Sequence, residues 1–168
     1  MELKDTQAFV AGCFRDEPAT CACACPFGLD IKAFLKKMEK GRFPAAYRDL
    51  SGAALFPSVA AELCPRPCME RCQRVPMGDD ALDMGALERA CIEFAKSEKA
   101  AVFPLQPKDK SVAVVGAGPA GLSCALTLSR KKYAVTVFDS APGWGGHLRS
   151  HPAFGRFDAD FAKQFAAE

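Results

Sequence analysis

Seven of the nine cysteines fall into two tight groups, and no other feature so narrows what this 168-residue chain can fold into. The first group is Cys13, Cys21, Cys23 and Cys25; the second is Cys64, Cys68 and Cys72; Cys91 and Cys124 stand apart. The opening segment, MELKDTQAFVAGCF, lacks the charged-then-apolar layout of a secretion signal. Without one, the set argues for metal or redox ligation over a disulfide framework, and the odd count disfavours a closed set of bridges. No stretch approaches the roughly 18 apolar residues that a membrane span needs. Net charge is +2, spread along the chain with no basic block. Neither a membrane nor a nucleic acid is therefore an expected partner, and a soluble, cytoplasmic protein is expected.

Thiolates are soft donors, and an iron–sulfur cluster needs about four of them converging, an arrangement expected of loops. Cys21-x3-Cys25-Pro26 supplies a ligand pair, and Pro26 helps turn the chain away. A Cys-Pro ending marks ferredoxin-type loops, in which the last cysteine serves a different cluster from the earlier ones. Cys64-Pro65-x2-Cys68-x3-Cys72 has the same character, so two clusters are expected. Zinc is the alternative. It usually takes paired C-x2-C knuckles or Cys/His sets. This region has no such knuckle, and the two histidines, His147 and His151, lie outside it.

The rest of the first hundred residues reads as helical. A short helix is expected over 3–12, then a loop over 13–28. Asp30 can cap a helix whose apolar stripe is Ile31, Phe34, Leu35 and Met38, with Gly41 ending it. Pro44 opens a second, carrying Phe43, Tyr47 and Leu50 inward. A helical turn fits 56–62, and a third clear helix spans 83–97 with Met84, Leu87, Cys91 and Phe94 on one face. Cys91 and Cys124 are expected to pack in cores.

After a Pro- and Lys-bearing stretch the pattern changes to β-α-β: a β-rich run at 111–115, a helix to about 130, and a second run at 134–139. A terminal helix is expected from Asp158. Gly116-Ala117-Gly118-Pro119-Ala120-Gly121 joins the first strand to the helix, the context that gives a GxGxxG its weight. Gly116 makes the tight turn, Gly118 admits a pyrophosphate, Gly121 permits close helix packing, and helix N–H groups hold the phosphates. Asp139, which closes the second strand, can accept from ribose hydroxyls; a plain strand-end aspartate is the rival.

The motifs CFRDEPATCACACPFGLDIKAFL, ELCPRPCMERC and MGALERA resemble the N-terminal two-[4Fe-4S] domain shared by glutamate synthase small subunit, dihydropyrimidine dehydrogenase and related NADPH-linked flavoproteins. The resemblance implies one cluster on Cys13, position 16, Cys21 and Cys72. It implies a second on Cys25, Cys64, Cys68 and Glu88, although Glu88 alone reads as a surface carboxylate paired with Arg89 or Lys96. Where the family has a cysteine, this chain has Asp16. Three outcomes are open: Asp16 ligates iron, Cys23 replaces it, or the cluster is incomplete.

GAGPAGLSCALTL and FDSAPGWGGHLR resemble the FAD-binding segment of the same family, in which Gly145 and Gly146 pass close to the cofactor and Leu148 and Arg149 follow. The fold class expected is α+β: an all-α helical double-cluster domain over 1–98, a linker over 99–110, and a partial Rossmann-like unit over 111–168. Two visible strands are fewer than such a unit needs, so a longer chain is expected. The resemblance implies an iron–sulfur flavoprotein oxidoreductase in which FAD takes a hydride from NAD(P)H. Its clusters pass electrons to or from a partner subunit or domain. No catalytic acid–base pair is visible, so this portion alone is not expected to turn over substrate. The alternatives are a non-catalytic iron–sulfur interaction subunit and a zinc-stabilised binding module.

Overall fold

The computed structural model describes residues 3–11, 19–95, 106–155, 157, 161 and 162. The chain divides into two compact units, Met1–Ala100 and Ala101–Glu168.

The first unit is helical. Among the described residues it contains α1 (Leu3–Ala11), α2 (Thr20–Cys23), α3 (Ile31–Glu39), α4 (Phe43–Ala53), α5 (Pro57–Leu63), α6 (Pro67–Glu70) and α7 (Met84–Phe94). Asp30 caps α3 by accepting the Ala33 N–H at 3.0 Å, and Gly41, at φ +66°, takes the left-handed turn beyond its end. The α3 stripe of Ile31, Phe34, Leu35 and Met38 is wholly buried. Each such side chain contributes about 1.5–3 kcal/mol. α3 packs on α1 and α4, and α7 closes the core against α4 and α5. The Phe43 and Phe94 rings meet at 5.1 Å, and the Cys91 thiol donates to the Phe43 carbonyl at 3.8 Å. Burial, first of all, pushes that thiol up to about 12, so Cys91 is the inert core group expected.

Of the loop expected over 13–28, residues 13–18 lie outside the described residues and the remainder departs from it. Thr20–Cys23 winds into one helical turn, and Pro67–Glu70, around Cys68, does the same. Single turns project cysteines as a loop would, and Ala and Cys in sequence offer nothing that resists helical φ and ψ.

Asp83 caps α7 by accepting the Ala86 N–H at 3.0 Å. Asp83→Ala is expected to cost about 1 kcal/mol, read as a shift of the denaturation midpoint.

The second unit is a β-α-β. β1 (Ser111–Val115) and β2 (Ala134–Phe138) run parallel with Ser111 opposite Ala134 and Val115 opposite Phe138. α8 (Pro119–Arg130) crosses between them and buries Leu122, Ala125 and Leu126. Cys124, one position from that stripe, is exposed, which corrects the expectation that it packs. Phe157 and Phe161 are fully buried; the helix expected from Asp158 lies largely outside the described residues, as does most of the 99–110 linker. No helix is long and apolar enough to cross a membrane among the described residues.

Candidate functional site

The two cysteine loops are stitched together by Thr20. Its hydroxyl donates to the Arg71 carbonyl at 2.8 Å and accepts from Gln73 Nε2 at 2.9 Å. These partners sit on either side of Cys72, and Thr20 precedes Cys21, so the stitch sets Cys21 and Cys72 at one corner. α2 packs on α6, which carries Cys68. Cys13 and Asp16 lie outside the described residues. Cys23 is exposed on α2.

The second corner centres on Cys68. Burial pushes its thiol up to about 11, and the negative charges of Glu88, Cys25, Cys64 and Cys21 push the same way. Groups with such mutual effects lie close together. As anions Cys25, Cys64, Cys68 and Glu88 repel one another, with Cys21 of the first corner adding to the effect, and positive charge brought among them relieves that repulsion. Among the described residues no three Cys, His, Asp or Glu side chains could hold a single metal ion. A cubane, whose ligands bind separate irons, needs them more widely spaced.

Glu88 differs from its simplest reading. Its Oε2 is buried and accepts no hydrogen bond, from Arg89 or any other described residue, while Lys96 lies outside the described residues. Arg89 itself is exposed. An orphaned buried carboxylate oxygen is costly unless a further ligand takes it, and the Glu88 charge helps push the Cys68 thiol up. The donor set therefore fits an iron–sulfur cluster.

Burial raises the Glu88 carboxyl from 4.5 to about 7, although Arg66 and Arg89 oppose the shift. The native state then binds more protons than the unfolded one between those values, so stability falls as pH rises through them. In protein stripped of iron, the denaturation midpoint is expected to drop from pH 4.5 to 7. Glu88→Gln flattens that slope.

In the second unit the Gly-rich turn takes its expected form. Gly116 sits at φ +101°, and its N–H donates to the Phe138 carbonyl at 2.7 Å. A Cβ at Gly121 would strike the Gly116 carbonyl oxygen, so α8 lies directly on the turn. Gly118 caps α8 with no side chain on its first N–H groups, leaving Pro119 and Ala120 at an open helix start. A Cβ at Gly118 meets nothing within 4 Å.

Asp139 accepts from the Ala117 N–H at 2.6 Å and the Ala141 N–H at 2.8 Å, which hold its carboxyl below the usual range. It thus braces the turn, as its rival reading has it, and also lines a cavity. The cavity, of about 520 Å³, is further lined by Ala117, Leu122, Val137, Ala141, Gly143 and Trp144. Trp144 was not singled out from sequence; the only signal was its place inside the GWGG motif.

The Gly145 N–H donates to the Ala117 carbonyl at 2.7 Å, and a Cβ at Gly146 would lie 2.9 Å from Gly118 Cα. The glycine pair is folded onto the backbone of the Gly-rich turn. Leu148 is half-buried in the turn that follows. Arg149 donates to the Pro142 carbonyl at 2.7 Å, bracing the same loop.

Fold and site together define a class: a helical iron–sulfur module followed in sequence by a dinucleotide-binding β-α-β unit. The chain belongs to the dihydropyrimidine dehydrogenase domain II, 4Fe-4S cluster family, whose profile matches residues 3–100. Residues 114–165 match the NAD(P)-binding Rossmann-like domain. The chain is similar to NADPH-Fe(3+) oxidoreductase subunit beta of Geobacter sulfurreducens, 36% identical over 134 residues, covering 77% of this chain and 20% of that protein. It is similar to the Escherichia coli NAD-dependent dihydropyrimidine dehydrogenase subunit PreT, 31% identical over 143 residues, 82% of this chain and 34% of that one. It is also similar to the glutamate synthase [NADPH] small chain of Mycobacterium tuberculosis, 35% identical over 132 residues, 77% of this chain and 27% of that one. The chain thus spans about a fifth to a third of the length of these relatives.

Proposed function

We propose that the chain is the electron-transfer part of an NAD(P)H-dependent iron–sulfur flavoprotein oxidoreductase, in which two [4Fe-4S] clusters carry electrons between FAD and a partner subunit or domain. Residues 1–98 hold the clusters, 99–110 link, and 111–168 begin the FAD-binding unit. Cys25, Cys64, Cys68 and Glu88 are the ligands of one cluster; Cys13, Asp16, Cys21 and Cys72 are those of the other. The α8 N-terminal N–H groups beside Gly118, Pro119 and Ala120 bind the pyrophosphate. Asp139 keeps free lone pairs for a ribose hydroxyl, and its cavity falls within the usual range of roughly 300–1,000 Å³ for ligand sites. Gly145 and Gly146 admit the cofactor where a side chain would block it, and Leu148 and Arg149 fix the loop that carries them. Function is proposed in the cytoplasm, away from membranes and nucleic acid.

The observation that supports this most is the buried, unpartnered Glu88 oxygen, whose charge acts on the Cys68 thiol. The test is anaerobic mixing of the full-length protein with NADPH or NADH. Bleaching of flavin absorbance together with the cluster band is expected; no bleaching with either nucleotide, or no FAD released on denaturation, overturns the proposal. Asp16→Cys addresses the first cluster separately. A change in its iron content or potential is expected, and identical values in the variant rule out Asp16 as a ligand.

A further inference from the structure

Arg66 is held in an unusual posture. At φ +57° and ψ +53° it occupies the left-handed region, between Pro65 and Pro67. A residue with a Cβ pays about 1–2 kcal/mol there, and a following proline disfavours helical backbone further. Two contacts account for the posture. The Arg66 N–H points at Cys64 Sγ, 3.4 Å away. The side chain folds back so that Nη2 donates to the Ala61 carbonyl at 2.7 Å, at the end of α5.

The guanidinium lies flat over α7 at Gly85, where any Cβ would overlap it. Gly85 is the second residue of α7, and a side chain there would displace the guanidinium, which gives its presence in MGALERA a packing reason. Glu88, three residues on, feels the Arg66 charge. Yet Arg66 Nε and Glu88 Oε2 are both buried without hydrogen-bond partners. The two opposite charges are close but do not satisfy each other through these atoms, as expected if the carboxylate is reserved for a third group.

We propose that Arg66 is a positioning residue for the cluster site framed by Cys25, Cys64, Cys68 and Glu88: its N–H orients Cys64 Sγ, and its clamped guanidinium raises the cluster's reduction potential. The inference rests on the ligand set proposed above. Reduction adds negative charge, so a fixed cation and an N–H···S bond both favour the reduced form. A purely structural role, stitching α5 to α7, would move stability and leave the potential unchanged.

The test uses the full-length, cluster-loaded protein in an EPR-monitored redox titration, with the signal of this site assigned through Glu88→Cys. Arg66→Met keeps length and removes charge. The expected result is a more negative midpoint by about tenfold in the reduced-to-oxidised ratio, which is about 59 mV for one electron, at unchanged iron content. Arg66→Lys is expected to recover part of the shift. An unshifted midpoint in iron-replete Arg66→Met overturns the inference. Should Arg66→Met lose iron, Gly85→Ala decides: it displaces the guanidinium without removing it, and a negative shift supports the inference while an unshifted midpoint overturns it. A wild-type protein without two clusters instead defeats the ligand proposal itself.

Discussion

Cys68→Ala is expected to remove one of the two clusters outright, halving the iron and sulfide of the anaerobically purified protein. Cys68 is the buried member of its group, and Glu88, Cys25 and Cys64 all act on it. A cubane deprived of one of four ligands cannot draw on Cys91, which lies on the same helix as Glu88 but donates to the Phe43 carbonyl in the core. Cys91→Ala therefore serves as the control. It removes an equally buried thiol and is expected to leave iron content unchanged. The pair separates ligation from burial, because composition alone treats these cysteines alike. Equal iron in wild type and Cys68→Ala would remove Cys68 from the ligand set.

Gly121→Val is expected to abolish flavin retention and to destabilise the second unit. The obstacle is the Gly116 carbonyl oxygen, which belongs to the turn's backbone and cannot swing aside as a side chain could. Overpacking of this kind costs about 1–3 kcal/mol, and relief requires α8 to lift off β1. Lifting α8 displaces the very N–H groups proposed to hold the pyrophosphate. Acid-released FAD per chain should fall to near zero, while iron content stays at the wild-type value because the proposed cluster ligands belong to the other unit. A variant that keeps its FAD would show that the helix start is not the phosphate site.

These two sites differ in how far the sequence exposes them. The Gly116–Gly121 turn is largely local: its own glycines lie within six residues, and Gly116 and Gly121 make the tight turn and close packing expected of them, although Gly145 and Gly146 also fold onto it. The helix cap at Asp30 and the α3 stripe were legible for the same reason, whereas the cap at Asp83 emerged only from the structure. The cysteine site is non-local. Thr20 meets Arg71 and Gln73 more than fifty positions away, and no spacing rule announces that stitch. The left-handed Arg66 was hidden because the prolines beside it argue against its backbone conformation, and only its tertiary contacts hold it there. Gly85, in the first turn of α7, was a local sign of that packing. Cys124 was misjudged because a one-residue step around a helix moves a side chain by about 100°, enough to carry it from the buried stripe to solvent.

Metal analysis of the anaerobically purified protein bears most directly on all of this. Two cubanes require about eight iron and eight acid-labile sulfide per chain, with zinc absent. Zinc in place of iron, or iron and sulfide near four, would contradict the account.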